Sequence, residues 1–205
     1  MGAKKQTQQR LDARRAQILA AATQVFARRG YALAQVADIA AVLKIGHGTV
    51  YRYFKDKRAL FEEVVQHGLM RVGAILTEDA PGAETLEAYR EQMGRIGARL
   101  YTLVTTEDAL FTLLLRETQA PDPDAAENME AAQAMLAQFT KAYLSHGVER
   151  GFLRADLDLD VAAYAFNATT FEGARRILAA KDREAAKAAW LHTVPAMLLQ
   201  GMAAR

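Results

Sequence analysis

Residues 36–60 read VADIAAVLKIGHGTVYRYFKDKRAL, and no other stretch restricts the fold as strongly. Val36, Ile39, Ala40 and Leu43 recur at i, i+3, i+4 and i+7, which draws one apolar stripe over two helical turns. The stripe stops at Lys44, Ile45 and Gly46. A second short helical run from His47 to Phe54 then needs only Val50 and Phe54 on its inner side. Two short helices joined by three or four residues make a helix-turn-helix, whose second member is sized for the major groove of DNA. His47, Thr49, Tyr51, Arg52 and Tyr53 are left for the outer face.

The same pattern fits a surface hairpin in an ordinary helical protein, and charge separates the two readings. Residues 1–60 hold twelve Lys or Arg against three acids, a net +9, whereas the remaining 145 hold fourteen against twenty-one, a net −7. The overall +2 hides this division. A basic end on an acidic body suits a polyanion binder.

Arg15, Ile18, Leu19, Ala21, Ala22, Phe26, Gly30, Tyr31, Val36, Ile39, Ala40, Gly48, Thr49, Val50, Tyr51, Tyr53, Phe54, Lys57 and Leu60 together resemble the DNA-binding domain of TetR-type (tetracycline-repressor-like) transcriptional regulators. The likeness covers residues 15–61. It departs from the family pattern in having Lys44 where Gly is usual at the turn, Gly46 where Ser commonly caps the recognition helix, and Ala34 where Thr or Ser commonly precedes the second helix. A left-handed conformation at Lys44 would cost a non-Gly residue about 1 kcal/mol.

The expected architecture is all-α: an N-terminal three-helix helix-turn-helix domain joined by a long fourth helix to a C-terminal helical ligand-binding and dimerisation domain. The division expected is 1–60 for the basic arm and DNA-binding domain and 61–205 for the effector and dimerisation domain. Residues 1–9 read as a polar arm outside regular structure, followed by a helix from Leu11 or Asp12 to Arg29 that Gly30 ends. Asp56 is placed to cap the fourth helix, which runs to about Asp79 before Pro81 and Gly82. Further helices are expected at 84–105, 109–119, 124–150, 160–180 and 183–202, with a break at Ala120–Asp124 and Asp158 or a neighbour as a cap. Pro195 would kink or divide the last helix.

Composition narrows the function further. With 51% hydrophobic residues in 205, the chain can bury a core, and without Cys it has no disulfide scaffold or thiolate metal site. The N-terminus has no apolar run before Ile18, so it reads as neither secretory signal nor membrane span, and a cytoplasmic location is expected. Asp156, Asp158 and Asp160 lack the central Gly and closing Glu of a calcium loop. The four His are scattered, no Gly-rich phosphate loop occurs, and the Glu63/His67 pair makes no metal site alone. No catalytic residue, metal or cofactor is therefore expected. The rival readings are a non-specific DNA-packaging protein and, further off, a helical enzyme.

The DNA contacts expected are Lys44, His47, Gly48, Thr49, Tyr51, Arg52, Tyr53, Lys55 and Lys57. His47, Thr49 and Arg52, with Lys44 at the turn, would read bases, Arg with guanine being the commonest pairing. Tyr51, Lys55 and Lys57 would hold phosphates, whereas Tyr53 fits a phosphate contact or a packed aromatic equally well. The resemblance implies a homodimer through the last two helices, for which Ala165, Phe166, Gly173, Ile177, Trp190, Leu191, Val194 and Leu198 supply small and bulky surface; the same residues would also complete a monomeric core. A small-molecule effector would lie among Met70, Met93, Leu100, Tyr101, Phe111, Leu115, Arg116, Met135, Phe139, Tyr143, Phe166, Asn167 and Thr170. Individually each apolar member of that set is equally at home in a core. The partners expected are thus an operator duplex, a mostly apolar effector and a second copy of the chain, with no membrane.

Overall fold

The computed structural model describes residues 2–119 and 123–202. Among them are nine helices and no strand: α1 Gly2–Leu33, α2 Val36–Val42, α3 His47–Tyr51, α4 Lys57–Glu78, α5 Leu86–Thr106, α6 Asp108–Gln119, α7 Pro123–Glu149, α8 Leu159–Ala179 and α9 Arg183–Met202. The all-α architecture is as expected. The break foreseen at Ala120–Asp124 falls in part on residues outside those described. No described helix is long and apolar enough to cross a membrane.

One expectation fails at the N-terminus. Residues 3–9 continue α1 instead of forming an irregular arm, because AKKQTQQ contains no Gly or Pro and is rich in helix formers. Gln8 Nε2 adds a bond to Asp12 Oδ1 one turn on, at 2.8 Å. At the other end Gly30 takes φ 76° and ψ 163°, a geometry open to Gly and closed to side-chain-bearing residues, so the chain kinks before its last turn at Tyr31–Leu33. Pro195 neither ends nor divides α9, which is assigned unbroken around it.

Side-chain oxygens start several helices. Asp56 Oδ1 accepts from Ala59 N at 2.8 Å ahead of α4, and Asp158 Oδ1 accepts from Asp160 N and Val161 N ahead of α8. Thr85 Oγ1 accepts from Ala88 N ahead of α5. Each fills one or two of the donor groups that a helix start leaves open.

The described chain divides into two compact units. The first contains residues up to Gly68 together with Ala109–Met129, and the second contains Leu69–Asp108 together with the residues from Glu130 onward. In the first unit Phe26, Tyr31 and Phe61 meet as an aromatic trio with ring centroids 4.7–6.0 Å apart. Ile18, Ile39, Val50, Phe54, Leu60 and Val64 are buried in the same unit. α6 belongs to this unit: Gly68 lies so near it that a Cβ there would stand 2.6 Å from Leu114 Cδ1. In the second unit Tyr89, Leu144, Leu153 and Ala163 form a buried cluster with Ala83 and Ala137.

Three side chains close the end of α4 within the second unit. Tyr143 on α7 aims its hydroxyl at Leu76 O and Asp79 O, 2.7 and 2.8 Å away. Gln92 on α5 donates through Nε2 to Asp79 O, Asp79 Oδ1 and Ala80 O. Burial pushes the Asp79 carboxyl up, but hydrogen bonds from Arg95 and Gln92 outweigh it and hold the pKa below its ordinary value.

Candidate nucleic-acid interface

The recognition helix α3 is one and a half turns long, and its placement follows from what lies at its two ends. Before it, Lys44 adopts φ 53°, the left-handed conformation foreseen for the turn. Gly46 is the N-cap and offers no side-chain bond. After it, Tyr53 N and Phe54 N both donate to Val50 O. Val50 is 1% exposed and Phe54 4%, so one side of the helix is fixed in the core.

The opposite side faces water. Lys44, His47, Gly48, Tyr51, Arg52 and Lys55 are exposed, and Thr49 and Tyr53 are half-buried. The His47 and Tyr51 rings stand edge to face at 6.4 Å, which limits both side chains on the outer surface. Donors of three kinds, imidazole, phenol and guanidinium, are thereby gathered on one short face.

Lys57 is differently placed from the other basic candidates. Its ammonium donates to Tyr31 O at 2.9 Å and Ala32 O at 3.2 Å and sits 4.3 Å from the centre of the Tyr31 ring. It therefore closes the last turn of α1, where open carbonyls and the helix dipole favour a cation.

Two acidic or basic side chains with structural duties here were not singled out by the sequence reading of DNA contacts. Arg15 on α1 donates through Nη1 to Tyr53 O at 3.0 Å, pairs through Nη2 with Glu63 on α4, and lies 4.5 Å from the centre of the Phe54 ring. Glu117 on α6, 3% exposed, accepts from Tyr31 N at 3.3 Å beside the Gly30 kink. These partners are 38, 48 and 86 positions apart, beyond the reach of any helical period.

The effector candidates fall in both units. Phe111, Leu115 and Arg116 belong to the first, where Phe111 and Leu115 are each 8% exposed and Arg116 is on the surface. The rest belong to the second. Met70 and Met135 are 64% and 46% exposed, so neither is an enclosed wall residue of the isolated chain. Tyr143 has its hydroxyl committed to α4. Tyr101 Oη lies 3.5 Å from Thr170 O, and burial raises its pKa well above the ordinary value, against which the contacts with Trp190 and Thr170 act. Thr140 donates to Asn167 Oδ1 at 2.7 Å, joining α7 to α8. Met93, Leu100, Phe139 and Phe166 are half-buried. A cleft of about 390 Å³ in the second unit is lined by Arg71, Ile75, Ala98, Arg99, Thr102, Leu103 and Thr106.

Of the expected interface residues, Ile177 is 0% exposed in the chain and Gly173 is buried against Trp190 and Tyr101. Phe166, Trp190, Leu191, Val194 and Leu198 are half-buried, and Ala165 is exposed. Sequence periodicity places a residue on a face of its helix without saying which neighbour covers that face.

Comparison with known proteins agrees with this geometry. Residues 18–64 match the family model for bacterial regulatory proteins of the tetR family. An HTH-type transcriptional repressor of Mycobacterium tuberculosis is 40% identical over 84 residues, 41% of this chain and 44% of that protein, so the match spans under half of the curated relative's length. Among solved structures, the fatty acid degradation regulator FadR from Bacillus halodurans superposes with a TM-score of 0.78 at 23% identity, covering 93% of this chain and 97% of that one. FadR from Bacillus subtilis in complex with stearoyl-CoA gives 0.73 at 22% identity, covering 91% and 98%. At these identities the two structures establish a shared fold. Residues 18–64 thus match the DNA-binding domain of bacterial regulatory proteins of the tetR family, and the chain as a whole shares the fold of solved regulators.

Proposed function

We propose that this chain is a ligand-responsive, sequence-specific DNA-binding transcriptional regulator, a cytoplasmic repressor that a mostly apolar small molecule releases from a palindromic operator. The observation that carries the reading is the recognition helix itself. Its inner side is locked by Val50 and Phe54, while His47, Gly48, Tyr51, Arg52 and Lys55 form an exposed donor face within the residues that match the family model. Lys44 and Lys55 supply charge toward phosphates, and Arg52 is the residue for reading a guanine.

The division of labour follows the charge: residues 1–60 bind the duplex, and 61–205 carry effector binding and dimerisation. A single recognition helix covers too few base pairs to select one site. A second copy, joined through α8 and α9, places two such helices about 34 Å apart, one turn of duplex. The outer face of α8 supports this, with Val161 65% and Tyr164 52% exposed next to exposed Ala165 and Ala168.

Long-chain acyl thioesters of coenzyme A are the first effector class to test, because the Bacillus subtilis neighbour is a complex with stearoyl-CoA. An effector that prefers the DNA-free arrangement by about 100-fold supplies about 2.7 kcal/mol of coupling, enough to empty a marginally filled operator. The experiment is selection of duplexes from a random pool by the full chain, footprinting of the winners, and titration of the complex with stearoyl-CoA. Two protected half-sites one turn apart and release by the thioester are expected. Uniform protection without half-sites would instead indicate a packaging protein, and an unmoved complex across a range of chain lengths would remove acyl-CoA as the effector.

A further inference from the structure

Helix α3 has five residues, too few for its own hydrogen bonds to hold it against the rest of the domain. Its bearing on DNA must come from tertiary ties, and the exit of the helix carries one such tie with three partners. Arg15 Nη1 donates to Tyr53 O, two residues beyond the end of the helix. The other end of the same guanidinium pairs with Glu63 on α4. Its face covers the buried ring of Phe54. One planar group thus joins α1, the end of α3 and α4, a use for which the rigid fork of Arg is suited and the point charge of Lys is not.

We propose that Arg15 is a positioning residue for operator recognition: it sets the angle at which α3 presents Arg52 and Tyr51, without itself touching DNA. This rests on the DNA-binding reading above. Arg15 is 44% exposed and Glu63 29%, and an ion pair so open to water adds little to folding stability. The role of the arrangement is therefore orientation, and it should be visible in specificity more than in melting temperature. A side chain that only neutralised phosphate would behave in the opposite way, weakening all duplexes together.

The test uses the full-length chain, a duplex enriched by the wild type from a random pool, and a random duplex of the same length. Arg15→Met keeps the apolar stem and removes the fork. The preference for the enriched duplex should fall at least about tenfold with the salt slope unchanged, a shift equivalent to about 1.4 kcal/mol. Arg15→Lys, which can reach Tyr53 O or Glu63 but cannot hold both in one plane, should recover part of that preference. Glu63→Gln, which leaves Tyr53 O and the Phe54 ring to Arg15, should lose less than Arg15→Met does. If Arg15→Met does not fold, the other two variants carry the measurement, and full preference in both overturns the proposal. Unchanged preference in Arg15→Met also overturns it. So does an equal loss on both duplexes with the salt slope lower by about one, which would make Arg15 a phosphate contact. A wild-type chain that enriches no duplex defeats the DNA-binding reading itself, a result distinct from any of these.

Discussion

Gly173 on α8 lies against Trp190 on α9 so closely that a Cβ added there would stand 2.5 Å from Trp190 Cε2, and equally close to the Tyr101 hydroxyl. Three helices, α5, α8 and α9, therefore meet at a point where the absence of a side chain is a packing requirement. Gly173→Ala should destabilise the fold by about 1–3 kcal/mol, the usual result of overpacking a filled site. Trp190 is the chain's single tryptophan, so urea unfolding followed by its fluorescence reports on the contact directly. An unchanged midpoint and emission maximum would mean that α8 and α9 yield at this point.

Lys44 offers a substitution with opposite effects on stability and binding. Its φ of 53° is strained for a residue with a Cβ and free for glycine. Lys44→Gly should raise stability by up to about 1 kcal/mol while removing one cation from the proposed phosphate contacts, lowering the salt slope of DNA binding by about one. Chemical unfolding and a salt titration of binding check the two halves separately.

Arg52 and Lys57 should divide by kind of loss. Arg52 is exposed on the recognition helix, and Arg52→Ala should reduce discrimination at one base position by about 1–3 kcal/mol without affecting the fold. Lys57→Ala removes the donor from Tyr31 O and Ala32 O and should lower stability by about 1 kcal/mol, whatever it does to DNA binding. Measuring unfolding beside binding for both variants tells the two apart; a Lys57→Ala chain of full stability would show those carbonyls to be satisfied by water.

What could be read in the sequence was what is local. The turn conformation at Lys44, the caps at Asp56 and Asp158 and the outward face of α3 each depend on residues within one or two turns. What could not be read was which distant polar group meets which carbonyl. Arg15 with Tyr53 and Glu63, Glu117 with Tyr31, and Tyr143 with Leu76 join residues far apart in the chain, and no periodicity encodes such a pairing. The effector candidates suffered from a related ambiguity, since the same apolar side chain serves a core or a cavity wall. Leu115 illustrates it, buried in the unit that holds the helix-turn-helix.

The Tyr143 hydroxyl gives the fold an alkaline limit. Burial, with a smaller contribution from the charge of Asp79, raises its pKa to about 12, and burial alone takes Tyr89 to about 12 as well. Both groups are neutral in the folded chain at pH values where an unfolded tyrosine, with a pKa near 10, has lost its proton. The folded state then binds more protons than the unfolded one, so this stabilisation is complete below pH 10 and declines as pH rises toward 12. Tyr143→Phe should be less stable than wild type at pH 8, having lost the donor to Leu76 O and Asp79 O, yet should decline less steeply above pH 10. Parallel stability curves for the two proteins over that range would remove Tyr143 as a contributor.

The outer face of α8 is the place where a second copy should bind. Val161, Tyr164, Ala165 and Ala168 follow one another at i, i+3, i+4 and i+7, all exposed, and Met197 on α9 is 59% exposed. A stripe of this kind, left open to water, is the usual mark of an interaction surface. Ala165 and Ala168, beside the two larger residues, permit close approach of helices, and a stable pair needs about 800 Å² of surface from each partner. Sedimentation of the wild type should give a particle of about 45 kDa, twice the 22.5 kDa of the chain. Tyr164→Glu should yield a folded chain at half that mass, because it puts a charge on each side of the contact without entering either core. Ile177→Ala provides the contrast: at 0% exposure it should cost about 2–4 kcal/mol of folding stability through the cavity it leaves, while touching no partner surface. A Tyr164→Glu chain that remains a dimer would move the interface off this face of α8.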